Sequence, residues 1–269
     1  MKTHKIASLV LAGVMAVSSF AGLAAKKDAF TPDTAMQRLD TEFNAVVDMV
    51  YTALENSDMN EKDAYELIDW VYLLGSVYES ALTPLEDAAY ADEYRNESEN
   101  YSQNGSNYEF KTTANNELFT VTEKETESDG TVWTYKVSFM RKLNRMATDY
   151  VMTYNEKDVT SAALDYVVGE ERIYIQLAAF DEYDKDTGDA IYDVVRVMVA
   201  DGQVCASLTQ MDAKELQQKR VTSVYPNFAA FAFTDGEVFV YDGMSVTIGD
   251  VAELDKARTI NLAASPSAA

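Results

Sequence analysis

Asp-Gly pairs, among them Asp129-Gly130, Asp201-Gly202 and Asp235-Gly236, punctuate a stretch of alternating apolar and polar residues and constrain the fold more than any other feature. Such pairs supply the positive-φ residues of tight hairpin turns, whose twist matches that of the strands they join. Trp133, Tyr135, Val137 and Phe139 alternate with Thr134, Lys136 and Ser138, which is the period of a half-buried strand. Tyr150, Met152 and Tyr154 repeat the pattern, as do Val238 and Val240. Strands joined by tight turns pair with their neighbours, so residues 108–250 are expected to form an antiparallel β-meander of about eight or nine strands. Two runs, 172–180 and 190–199, are largely apolar on both faces and belong at the centre of a sheet that is covered on both sides.

The segment before the meander has helical spacing. Thr31-Pro32-Asp33 reads as a helix start, with Thr as cap, Pro in the first turn and an acid near the positive helix end. Met36, Leu39, Phe43, Val46, Val50 and Leu54 then follow on one face. A second helix is expected from about Glu61 to Leu82, with Leu67, Ile68, Val71, Leu74 and Tyr78 along one side and Thr83-Pro84 as its stop. Residues 25–90 thus read as a helical hairpin, 91–107 as a polar linker or loop, 108–250 as the sheet domain and 251–269 as a C-terminal tail. A short helix is expected between Asp212 and Arg220. The fold class is α+β: an N-terminal helical hairpin packed on a twisted antiparallel meander that can curl into a half-barrel.

Residues 1–24 have the three-part pattern of a secretory signal peptide: Lys2 and Lys5, an apolar run from Ile6 to Phe20, then small residues ending at Ala24. The run is shorter than a membrane-spanning helix requires. Export to a periplasm or to the cell exterior is the expectation. Cleavage would remove His4, the only histidine, and take the net charge from −23 to −25. A chain of that charge repels phosphate backbones and anionic lipids, so nucleic acid is not an expected partner. Without histidine, Ser-His-Asp and Cys-His catalysis and histidine-ligated metal sites are excluded. A single cysteine, Cys205, excludes an internal disulfide and a Cys-x-x-Cys pair.

What remains is a thin inventory. By analogy with other concave sheets covered by helices, an apolar or lipid-like ligand would lie between helices and sheet, with Trp70, Tyr135, Phe139, Tyr150 and Tyr154 as lining candidates. The acidic run from Asp181 to Asp189 offers Asp181, Asp184, Asp186 and Asp189 as oxygen ligands for calcium, but Gly188 and Val195 break the calcium-loop spacing and a solvated hairpin loop is the simpler reading. Three function classes stay open at this point. They are a non-enzymatic binding protein, an acidic envelope or surface interaction module, and a hydrolase working through a carboxylate pair.

Overall fold

The computed structural model describes residues 31–55, 60–93, 96–114, 118–142, 145–154, 160–169, 172–218 and 235–262. The signal-like segment and the residues after Leu262 lie outside this set. Among the described residues twelve strands follow one another in chain order across one antiparallel sheet, each paired with its neighbours, and the first and last do not close on each other. The class is α+β and the sheet is an open meander.

The N-terminal helix forms where its capping signal places it. In α1 (Pro32–Arg38) the Thr31 hydroxyl accepts a hydrogen bond from the Thr34 N–H at 3.2 Å, with Pro32 in the first turn. A wide turn of π-helix, Leu39–Asn44, joins α1 to α2 (Ala45–Glu55) and keeps Leu39 and Phe43 fully buried. Next among the described helices comes α3, Glu61–Glu93, one helix of 33 residues.

That helix runs straight through the expected stop at Pro84. Proline removes one backbone hydrogen bond and crowds the preceding turn. Leu85 and Ala88, just beyond it, are buried at 0% and 1% exposure, and packing of this face outweighs the local cost. The continuation carries Asp87 out over the first strands, which decides where the candidate site forms.

The strands are β1 (Ser98–Gln103), β2 (Ser106–Ala114), β3 (Leu118–Thr126), β4 (Val132–Lys142), β5 (Arg145–Tyr154) and β6 (Thr160–Gly169). They continue as β7 (Ile173–Tyr183), β8 (Ala190–Ala200), β9 (Gln203–Asp212), β10 (Glu237–Tyr241), β11 (Ser245–Asp250) and β12 (Arg258–Asn261). A six-residue helix, α4 (Ala213–Gln218), follows β9 where a short helix was expected.

Two segments differ from the sequence reading. Residues 98–103, expected in a polar linker, form β1, paired with β2 through a turn at Asn104-Gly105 with φ of 53° and 89°. Every residue of β1 is exposed, so the strand has no buried face to impose an alternating pattern. Residues 258–261, expected in the tail, form β12 against β11.

α3 crosses the strands instead of running along them. Near its start, Asp63 and Glu66 hold Arg258 of β12 in ion pairs. Midway, Trp70 packs on Phe239 of β10 with ring centroids 5.6 Å apart. Near its end, Asp87 accepts a hydrogen bond from Tyr135 of β4. At about 1.5 Å per residue the helix advances roughly 36 Å between Asp63 and Asp87. Eight strand spacings at about 4.8 Å come to roughly 38 Å. A single helix therefore reaches across most of the sheet.

Under its first two-thirds the space is filled. Leu39, Phe43, Leu67, Trp70, Leu74 and Val77 form one cluster with Ile173, Ile175, Val195, Val197, Ala206, Phe239 and Ile248 from the sheet. The opposite face of the central strands is buried as well, through Tyr174, Gln176, Ala178, Val194, Arg196 and Cys205. This is the two-sided burial that the apolar runs 172–180 and 190–199 foretell. On that second face Arg196 donates through Nε to Gln176 Oε1 at 2.9 Å, within a directly paired register position of β7 and β8. The Cys205 thiol is buried and pushed up to about 12 by desolvation, which leaves it inert as a nucleophile.

Candidate functional site

The helix-facing side of the sheet is filled from β6 to β12 and open at β1–β4. Antiparallel register places directly opposed residues on the same face, so two rows of side chains can be read straight across these four strands. One row runs Tyr101, Tyr108, Glu125, Trp133. The next runs Glu99, Phe110, Glu123, Tyr135. The row beyond contains Thr112 and Val121, both buried at 1% exposure, with Val121 in the main core. The first two rows are therefore an outward continuation of the core face, with carboxylates set between aromatic rings.

Asp87 closes the arrangement from above. Together these residues line a cleft of about 700 Å³, open to water on one side. Glu109, Lys124 and Thr134 also border it, from intervening strand positions whose Cβ atoms alternate toward the other face.

The aromatic walls are held at their polar tips. Tyr108 donates its hydroxyl to Glu125 Oε1 at 2.8 Å, Trp133 donates Nε1–H to Glu127 Oε1 at 2.7 Å, and Tyr135 donates its hydroxyl to Asp87. Tyr101 stacks on Tyr108 with centroids 4.9 Å apart and planes 11° from parallel. Such bonds fix ring orientation.

Burial pushes the Asp87 carboxyl up from the usual carboxylate range; the Tyr135 hydrogen bond pulls it down and Glu86 adds to the rise. Glu123 is raised too, first by desolvation and then by the charge of Asp87. Water reaches Glu123 through the open side, but the surrounding protein still withdraws solvation from its carboxyl. The two acids lie within each other's field.

A folded-state pKa above the unfolded value means the native protein holds those protons more tightly. The stabilising contribution is full below the unfolded pKa and is lost as pH rises through the folded one. Asp87→Asn and Glu123→Gln are thus expected to raise the melting temperature at neutral pH, with the gain fading toward about pH 4, where ordinary carboxylates protonate. Thermal unfolding across that range reads the effect, and a gain that did not depend on pH would contradict the assignment.

Of the residues singled out from sequence, Tyr135 lies in the cleft. Trp70 does not: it is 5% exposed, packed in the core, and borders a separate groove with Glu66, Ile248 and Arg258. Phe139 pairs with Phe119 and Thr148, Tyr150 with Val137 and Leu164, and Tyr154 with Trp133, by backbone register. The side chains of these three lie outside the described residues.

The acidic run between β7 and β8 is organised around its own backbone. Asp184 Oδ1 accepts from Thr187 N at 2.7 Å, Asp186 N at 2.9 Å and the Thr187 hydroxyl at 3.1 Å. The Thr187 amide, then Asp186, hold the Asp184 carboxyl below its ordinary range. Asp181 sits at a register shift and accepts from Gln210 Nε2 at 3.0 Å, while Asp189 contributes its carbonyl to the Asp184 N–H at 2.8 Å. Asp186 supplies a backbone N–H to this turn. Among the described residues no group of three or more His, Cys, Asp or Glu side chains is placed to hold a metal ion.

Glu123, Glu125, Tyr108, Phe110 and Asp87 were not singled out from the sequence. Their signal was present in the turns: hairpins centred on Asn104-Gly105 and Asp129-Gly130 place Tyr101 opposite Tyr108 and Glu125 opposite Trp133. No protein-family model, curated protein or solved structure matches the chain.

Proposed function

We propose that this is an exported, non-enzymatic binding protein that holds a small ligand with an apolar or aromatic body in the cleft between the end of α3 and strands β1–β4. The observation that carries the reading is the continuation of the core face into an open cleft walled by rings whose polar tips are already tied down. A preformed concave surface with oriented polar groups is the usual form of a small-molecule site. The filled interface beneath the first part of α3 argues for this location over the space between helices and central sheet.

The two tryptophans make a direct test. Trp133 lines the cleft and Trp70 lies in the core. In a Trp70→Phe background all tryptophan emission comes from Trp133, so a ligand entering the cleft should shift or quench it saturably. Failure of every compound in a panel of small aromatic and aliphatic molecules to do so would sink the proposal.

A second reading is a hydrolase using Asp87 and Glu123 as its carboxylate pair, favoured by their presence in one cleft. Acid–base division of labour needs environments that drive two pKa values apart. Here desolvation comes first for both and drives both upward. That favours binding over catalysis.

A further inference from the structure

We infer that the ligand of this cleft is an organic cation, an amine or quaternary ammonium group carried on an apolar or ring-bearing body. The inference rests on the proposed binding role of the cleft and narrows its ligand class. The walls present two complementary elements for such a group. Tyr101, Tyr108, Phe110, Trp133 and Tyr135 line the cleft with aromatic rings along two adjacent rows. Ring faces attract cations through their quadrupole, most strongly where water is partly excluded.

The second element is charge. Glu99, Glu123 and Glu125 share the face of those rings, and Asp87 reaches the same space from α3. Glu109 and the one basic residue, Lys124, border the cleft from the strand positions between the two rows, so five carboxylates face a single lysine among the lining residues. Negative charge thus concentrates on the side where the rings lie. A neutral apolar ligand would gain nothing from acids placed among the rings, and an anion would be repelled. A cation offsets the mutual repulsion that raises Glu123 through Asp87, so its binding and the ionisation of these carboxyls favour each other.

Benzyltrimethylammonium, neutral benzyl alcohol and anionic phenylacetate form the probe set. They share a phenyl ring, and the first has a charge that no pH change removes. The full chain carrying Trp70→Phe is titrated with each at low salt while Trp133 emission is followed, and calorimetry supplies the affinities. The cation should bind about tenfold or more tightly than the alcohol, in line with a cation over aromatic faces beside carboxylates. Phenylacetate should be weakest. Affinity for the cation should rise with pH as Asp87 and Glu123 ionise.

Asp87→Asn and Glu123→Gln, singly and together, should remove that preference while the melting temperature holds or rises. A structural role alone would not produce both changes. If the alcohol binds as tightly as the cation, the cationic assignment falls and the binding cleft stands. If cation affinity survives the double substitution, the cation sits elsewhere and the assignment also falls. If none of the three probes perturbs Trp133, the cationic assignment falls; the wider panel described for the binding reading then decides whether the cleft binds anything.

Discussion

Trp70→Ala should lower the unfolding free energy by about 3–5 kcal/mol, the usual loss for a large aromatic cut back to alanine in a core. Trp70 is 5% exposed and packs on Phe239, which is fully buried, at 5.6 Å between ring centroids. The pair sits where α3 crosses β10, between the Arg258 ion pairs at one end and the Asp87–Tyr135 contact at the other. Little else can slide into the space, because Leu67, Leu74 and Val71 are themselves buried in the same cluster. Urea unfolding followed by circular dichroism measures the loss directly. Trp70→Phe keeps a ring at the contact and should cost much less. A loss below about 1 kcal/mol for the alanine variant would place Trp70 outside the cooperative core.

Gly236→Ala is expected to be the second severe change, and Gly130→Ala its control. Both glycines have φ in the left-handed region, 81° and 89°, where a Cβ is disfavoured. That conformational cost, about 1–2 kcal/mol, applies to both. They differ in space. A Cβ on Gly130 meets nothing within 4 Å, whereas on Gly236 it would lie 2.1 Å from the Leu208 carbonyl oxygen. The neighbour is backbone of β9, held in the ladder by its pairing with Glu237, and cannot swing aside as a side chain would. Forced overpacking adds about 1–3 kcal/mol, so Gly236→Ala should be the worse by that margin. Equal melting temperatures for the two variants would mean that β9 and the start of β10 do not approach so closely.

The comparison of these two glycines also shows what local sequence can convey. Asp129-Gly130 and Asp235-Gly236 look alike as dipeptides and both glycines take a positive φ, yet only the first joins consecutive strands in a tight hairpin, since α4 intervenes between β9 and β10. Which of them lies against another strand depends on the partner across the ladder. The same division appears at Pro84. Its local preference ends a helix, and the burial of Leu85 and Ala88 against distant strands keeps the helix going. At β1 the failure runs the other way: the strand carries no apolar alternation because it buries nothing, and only the Asn104-Gly105 turn betrays it.

By itself the sequence determined the alternation along the strands, most of the turns between them, the cap of α1, the acidity, and a complement of one histidine and one cysteine. These follow from short-range rules, since φ preferences, side-chain period and composition act within a few residues. Only the tertiary structure decided that α3 passes Pro84 far enough to bring Asp87 to Tyr135, 48 residues away, and that two rows of aromatic rings and carboxylates lie beyond the filled core. Those outcomes depend on which faces find partners for burial, a contest settled over the whole chain rather than within any one segment.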